Sequence, residues 1–308
     1  MKKRLALFTS VLAGIAGLGY YFSQKVIRNT YTQDDDEEQR LQYKNLVDDH
    51  QGKKIELVSD YGYKLIGHAF CQDSQEKKFM VVVHGVTCSK EYGHGYIALF
   101  LKMGYNVIAM DSRYHGESGG HDISYGYYER YDLQKIMAYI KDTYGNDSHI
   151  GIHGVSMGAG IALMYAGSIE DGADFYIVDC PYSDFYEEAR YRVQYDFKHV
   201  PSFARKFIVG IGDMAIRLRS GFSLKDVRPI DHVHKITSPI LFINTKEDMY
   251  IPPEMSQELY DKKRDSKHMY WVEKGGHAMA YTEDPEMYQQ EIERFITKYV
   301  EKNNKKQE

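Results

Sequence analysis

The stretch Gly154-Val-Ser-Met-Gly158, followed by Ala159-Gly160, constrains this chain more than any other, because it sets one serine among residues with almost no side chain. The run His149-Ile-Gly-Ile-His153 before it reads as a strand, and Gly158–Gly167 after it has helical spacing. A strand that turns sharply into a helix strains the backbone of the residue at the corner, and only small neighbours let the two elements approach. Such a corner projects the Ser156 hydroxyl out of a sheet and toward a helix N-terminus, where backbone N–H groups point outward. Read alone, the same residues also describe a glycine-rich turn with a serine helix cap.

The surroundings of that corner narrow the choice. Phe79-Met-Val-Val-Val83 is an unbroken apolar run, which suits a strand buried on both faces of a parallel sheet. Strand and helix patterns then alternate. Tyr96–Met103 predicts a helix and Asn106–Met110 a strand; Tyr128–Tyr144 predicts a helix before the strand that leads to Ser156. Further strands are expected at Phe175–Val178, Pro239–Asn244 and Lys267–Val272, with a closing helix over Pro285–Lys302. Upstream, Lys54–Ser59 and Lys64–Phe70 flank Asp60-Tyr61-Gly62-Tyr63, a hairpin signal. This is the pattern of an α/β fold with a mostly parallel sheet wrapped on both faces. Between Asp184 and Ile236 no buried strand is legible. That aromatic and basic stretch reads as a helical cap over a site, with Tyr182, Tyr186, Tyr191, Tyr195 and Phe203 as candidate lining.

A serine hydroxyl needs a base within hydrogen-bond reach to become a nucleophile. His277 follows the last expected strand in Glu273-Lys-Gly-Gly-His277, and two glycines suit a loop that must place an imidazole. Asp248 follows the strand before it and can fix the tautomer of His277 and stabilise the imidazolium. Glu247 is the alternative acid, and His84 and His153 are alternative bases. An oxyanion forming at a carbonyl needs two backbone donors. Met157 N–H is one candidate, and Val86 N–H, in His84-Gly-Val-Thr87 after the first buried strand, is the other; Gly85 and Thr87 are alternatives to Val86.

Composition removes other classes. The 308 residues suffice for one sizeable core, and a net charge of −5 has the wrong sign for a nucleic-acid binder. Cys71, Cys88 and Cys180 have no CxxC spacing and cannot alone build a disulfide framework or a four-thiolate zinc site. Neither a metal nor another cofactor is expected from His232-Val-His234, the one close histidine pair. At the amino terminus, Lys2-Lys-Arg4 precedes an uncharged run from Leu5 to Phe22. That run predicts a membrane-spanning anchor outside the fold, with the remainder of the chain on the outer side, or else a signal segment cleaved after Ala16. Residues 29–52, with acids from Asp34 to Glu38, read as a linker or a loose first helix.

Taken together, His84-Gly85, Asp111-Ser-Arg-Tyr-His115-Gly-Glu-Ser118, Gly-Val-Ser156-Met-Gly and the Asp248 and His277 segments resemble the α/β-hydrolase superfamily. The resemblance runs from about Lys53 to the end, in the family's order. Within it the chain is similar to the capped bacterial esterase, monoglyceride-lipase and serine-aminopeptidase-like group. Segment 1–28, expected as anchor or signal, and the linker 29–52 lie outside the resemblance, which covers 53–302 as a hydrolase domain with a cap at about 184–236. The resemblance also implies a Ser156–Asp248–His277 triad without a cofactor. The expected substrate is a small acyl ester, the alternative a short peptide whose amino terminus Glu187 or Glu188 would hold. Asp111 and His115-Gly116 match a structural turn of the family. A membrane-tethered binding protein without chemistry is the rival from another class.

Overall fold

The computed structural model describes residues 2–29, 37–71 and 77–301, without the side chains of residues 2–8, 11, 12 and 301. The acids Asp34, Asp35 and Asp36 and the end of the expected closing helix at Lys302 lie outside the described residues.

Residues that are apolar in unbroken runs become the middle of one sheet. In chain order the strands are β1 (Lys53–Val58), β2 (Lys64–Phe70), β3 (Lys78–Val83), β4 (Asn106–Met110), β5 (His149–Val155), β6 (Phe175–Asp179), β7 (Ile240–Thr245) and β8 (Lys267–Val272). They lie side by side as β1-β2-β4-β3-β5-β6-β7-β8. β1 and β2 form an antiparallel hairpin, β2 is antiparallel to β4, and the strands from β4 to β8 run parallel. In β3, Phe79, Val81 and Val83 point to one core, while Met80 and Val82 point to the other. β7 divides the same way, Ile240 and Phe242 against Leu241 and Ile243. This period-two alternation, apolar on both sides, is why β-branched runs settle in the interior of the sheet.

Helices cover both faces. One face carries α4 (Glu129–Tyr144), α5 (Met157–Ser168) and α8 (Pro253–Lys262), the other α2 (Glu37–Asp49), α3 (His94–Lys102) and α10 (Pro285–Phe295), with the short α9 (Ala280–Glu283) before it. The segment read as a linker or a loose first helix contains a packed helix: Tyr43 of α2 is buried against Phe70, and its hydroxyl meets His68 Nδ1 at 2.7 Å. Two cap helices, α6 (Phe185–Asp196) and α7 (Ser202–Ser220), follow β6. Asp184 starts α6 by accepting from the Tyr186 and Glu187 amides, and Gly221, at φ 77°, ends α7 in the left-handed region.

The amino-terminal helix α1 (Lys2–Ile27) corrects the expectation that this segment lies outside the fold. Its second half lies along α7, and a methyl on Gly19 would come within 2.7 Å of Ile211. Arg219 of α7 donates to Ser23 Oγ and Gln24 Oε1 and stacks over Tyr20. The last carbonyls of α1, which a free helix leaves unpaired, accept from the body of the protein: Val26 O from Tyr125 Oη at 2.9 Å and Ile27 O from Ile123 N at 3.0 Å. Ile27 itself is buried in the main core. The expectation of a membrane span is likewise not supported: among the described residues no helix is long and apolar enough to cross a membrane. The polar groups of Ser23 and Gln24 interrupt the apolar character where α1 meets the cap.

Candidate active site

β5 delivers Ser156 to a corner with φ 54° and ψ −112°, and α5 begins at the next residue. The small residues around it are steric requirements. A methyl on Gly158 would fall 2.1 Å from the Val83 carbonyl oxygen, and one on Gly154 would fall 2.4 Å from that of Gly158. Strand β3, the corner and helix α5 thus approach too closely for any side chain. The strained conformation is held by Ser156 N donating to Asp179 O at 2.8 Å and Gly160 N donating to Ser156 O at 3.1 Å.

The residues that converge on Ser156 all follow carboxyl ends of parallel strands, where α/β sheets place their sites. His277 Nε2 lies 2.8 Å from Ser156 Oγ, and His277 Nδ1 lies 2.8 Å from Asp248 Oδ2. The Asp248 side chain is fully buried, and its other oxygen accepts the Tyr250 and Ile251 amides at 2.8 and 3.0 Å. Two backbone donors thus satisfy the oxygen that faces away from the imidazole. The carboxylate takes Nδ1–H, leaving the Nε2 lone pair to face the hydroxyl. The His277 loop is positioned by Thr245 Oγ1, which donates to Gly276 O at 3.0 Å, and by the Tyr250 ring, 4.9 Å from the imidazole. Glu247 is turned elsewhere and accepts the Gly275 amide at 3.3 Å.

The other histidines have separate partners. His84 Nδ1 meets Gly85 O at 2.7 Å and His84 Nε2 accepts the Ser112 amide at 2.9 Å, so the ring is neutral; burial lowers its pKa to about 4. His153 is fully buried, and its Nε2 meets Tyr288 Oη at 2.8 Å, which in turn donates to Asp179 at 3.1 Å. Asp111 is structural, taking the Lys90 ammonium at 2.7 Å and the Glu117 amide at 2.9 Å. Among the described residues, Cys180, Asp248 and His277 bring potential metal donors within 4.8 Å. That set does not fit a metal. Both imidazole nitrogens are engaged, and burial pushes the Cys180 thiol well above its usual range, so no thiolate is supplied.

The turn Gly85–Cys88, closed by Cys88 N donating to Gly85 O at 3.4 Å, lies against Ser156. Two cavities meet there. One, about 400 Å³, is lined by Met157, Phe185, Val193, Val209 and Ile216. The second, about 440 Å³, is lined by His84, Cys88, Tyr92, Tyr96 and His277. Val86, Ser156 and Tyr250 line both. Of the aromatics expected in the lining, Tyr182 is there. Tyr191 and Tyr195 stack on each other away from it, and Phe203 is 76% exposed. The inward face of α6 instead presents Phe185, Glu188 and Ala189, then Arg192 and Val193, a spacing of three and four that counting aromatic residues overlooks. Glu188 stands apart from these neighbours: it is buried, and neither carboxylate oxygen has a hydrogen-bond partner. Desolvation, eased by Arg192, raises its pKa to about 8. Glu187, by contrast, is exposed and paired with Arg190. Sequence reading also missed Tyr21, Phe22, Val26 and Asn29 of the amino-terminal segment in this lining. The available signal was the run Tyr20-Tyr-Phe-Ser-Gln24, too polar for the middle of a span.

A family model described as the alpha/beta hydrolase fold matches residues 78–209. The chain is 37% identical to the uncharacterized protein YqkD of Bacillus subtilis (strain 168), over 96% of this chain and 97% of that one. It is 26% identical to the lysophosphatidylserine lipase ABHD12 of Danio rerio, over 54% of this chain and 41% of the relative. Among solved structures, the Pyrococcus furiosus esterase Pf2001 superimposes with a TM-score of 0.68 at 24% identity, over 83% of this chain and 94% of that one. An esterase from Exiguobacterium antarcticum does so with a TM-score of 0.59 at 17% identity, over 80% of this chain and the whole of that one.

Proposed function

This chain belongs to the α/β-hydrolase superfamily, and from that premise we propose that it is a serine hydrolase that cleaves carboxylic esters through an acyl-enzyme on Ser156. The observation that carries this reading is the unbroken hydrogen-bonded series from Asp248 through His277 to Ser156 Oγ, at the junction of two cavities. In the reaction, Ser156 Oγ attacks the ester carbonyl as His277 Nε2 takes its proton. Negative charge on the carbonyl oxygen falls to the Met157 and Val86 amides. Collapse breaks the ester C–O bond, and His277 returns the proton to the departing alcohol. Water, deprotonated by the same imidazole, then releases the acid and frees Ser156. The alcohol and acyl portions have separate cavities to occupy; both are mostly apolar, and the one beneath the cap, reached from Ser156 and Met157, is assigned to the acyl chain.

Esterases and a lipase among the similar proteins agree with an ester substrate. A second reading, an amidase or peptidase of the same mechanism, draws on Glu188, whose unpartnered carboxyl can receive a substrate amine. Turnover of p-nitrophenyl esters against aminoacyl-anilides separates the two. For the common mechanism, a fluorophosphonate should label Ser156 and leave Ser156→Ala unmodified. Equal labelling of the variant overturns the assignment of the nucleophile.

A further inference from the structure

We propose that the amino-terminal helix α1 is a fixed wall of the acyl cavity, and that Phe22 sets the length of chain the cavity takes. The name of the occupant rests on the ester-hydrolase reading; the wall rests on geometry alone. The cavity that reaches Ser156 and Met157 is also bounded by Tyr21, Phe22, Val26 and Asn29. Such a contribution matters only if the helix is held in place, and it is held on three sides. Along α7, the glycines at 19 and 212 let the helices approach until a methyl on Gly212 would lie 3.2 Å from Phe22 Cβ. Across the cap, the Phe22 ring packs on Phe197 with centroids 5.7 Å apart. At its carboxyl end, α1 gives its last carbonyls to Tyr125 and Ile123, and Arg28 donates to Tyr114 Oη at 2.7 Å.

The side chains sort by chemistry. Phe22 and Val26 are partly buried and apolar and join Val193, Val209 and Ile216 around the void, whereas Lys25 is exposed. An alkyl chain entering from Ser156 is therefore desolvated by the cap on one side and by the leader helix on the other. Phe22 is the largest α1 side chain that is both partly buried and in this lining, so it limits the space available. The same geometry gives the segment a role that an anchor or a discarded signal would not have. Cleavage after Ala16 would leave Gly19, Phe22 and Val26, and hence the wall, in the mature chain.

The test uses the full-length chain and needs no turnover. Saturated fatty acids from butanoic to hexadecanoic acid are titrated calorimetrically into the wild type, Phe22→Leu and Phe22→Ala. Each methylene that finds an apolar site tightens binding roughly fourfold, until the cavity is full and the gain stops. The expected result is that this break comes at longer chains in Phe22→Ala than in the wild type, with Phe22→Leu between them. A break at the same length in all three proteins overturns the proposal, and Phe22→Leu keeps the comparison decisive if the alanine variant folds poorly. Fluorophosphonate labelling of the same samples judges Ser156 separately: its failure would count against the hydrolase reading, while the break length alone decides whether α1 is the wall.

Discussion

Asp248 holds His277 from a fully buried position, with one carboxylate oxygen on the imidazole at 2.8 Å and the other on two backbone amides. The carboxylate therefore cannot rotate without losing three hydrogen bonds. Replacing it with Asn keeps the shape but lets the side-chain amide donate to Nδ1, which stabilises the wrong tautomer. Asp248→Asn is expected to lower kcat by about 10³–10⁴-fold, as tautomer inversion does in serine triads. Glu247→Gln, one residue away and bonded only to the Gly275 amide, should stay within about threefold of wild type, the scale of a surface change. Steady-state ester hydrolysis checks both, and similar losses in the two variants would mean that the acid has been misassigned.

The legibility of these features in the sequence follows from their physics. Strands β3, β4, β6 and β7 are readable because two-sided burial demands continuous apolar runs, and β5 with the corner at Ser156 because sterics admit only glycine at positions 154 and 158. Helix α8 is not legible, since it buries a narrow stripe, Met255 and Leu259, within a polar sequence, and α2 shows only as a loose helix because its polar sequence buries little beyond Tyr43. Docking of α1 was hidden for another reason. Packing on a cap and crossing a bilayer both call for apolar residues, so composition cannot separate them; the partners Arg219, Ile123 and Tyr125 lie about a hundred or more residues downstream. Glu188 is legible as a possible amine receptor, but the isolation of its carboxyl is a property of tertiary packing.

Lys90 provides a stability prediction near the same loop. Its ammonium is 2% exposed and sits 2.7 Å from the buried Asp111 and 2.9 Å from Glu117, just beyond the Gly85–Cys88 turn. Removing the cation leaves the Asp111 carboxylate buried with only backbone donors. Lys90→Met is expected to cost about 3–5 kcal/mol in urea denaturation, the usual consequence of stranding one partner of a buried pair. Adding Asp111→Asn should recover part of that loss. A single variant within about 1 kcal/mol of wild type would show that the pair is far better solvated than its burial indicates.

Glu188 ties stability to pH. Its carboxyl has an ordinary pKa of 4.5 in the unfolded chain and one raised to about 8 in the folded protein, where desolvation outweighs the attraction of Arg192 and Asp248 and Asp196 add repulsion. Between those two values the native state binds more protons than the unfolded state at this site, so the slope of unfolding free energy against pH is negative. The contribution is undiminished below about 4.5, shrinks as pH rises, and levels off above about 8. Asp132 and Asp179, both raised to about 7 by burial, impose slopes of the same sign, so the wild-type profile alone cannot isolate Glu188. Subtraction can. Glu188→Gln keeps the size and removes the titration, and its stability relative to wild type should increase steadily from about pH 4.5 to about pH 8. Urea midpoints at half-unit pH intervals measure that difference. A difference independent of pH would mean that the carboxyl titrates alike in the folded and unfolded chains, so that desolvation by the cap does not act on it.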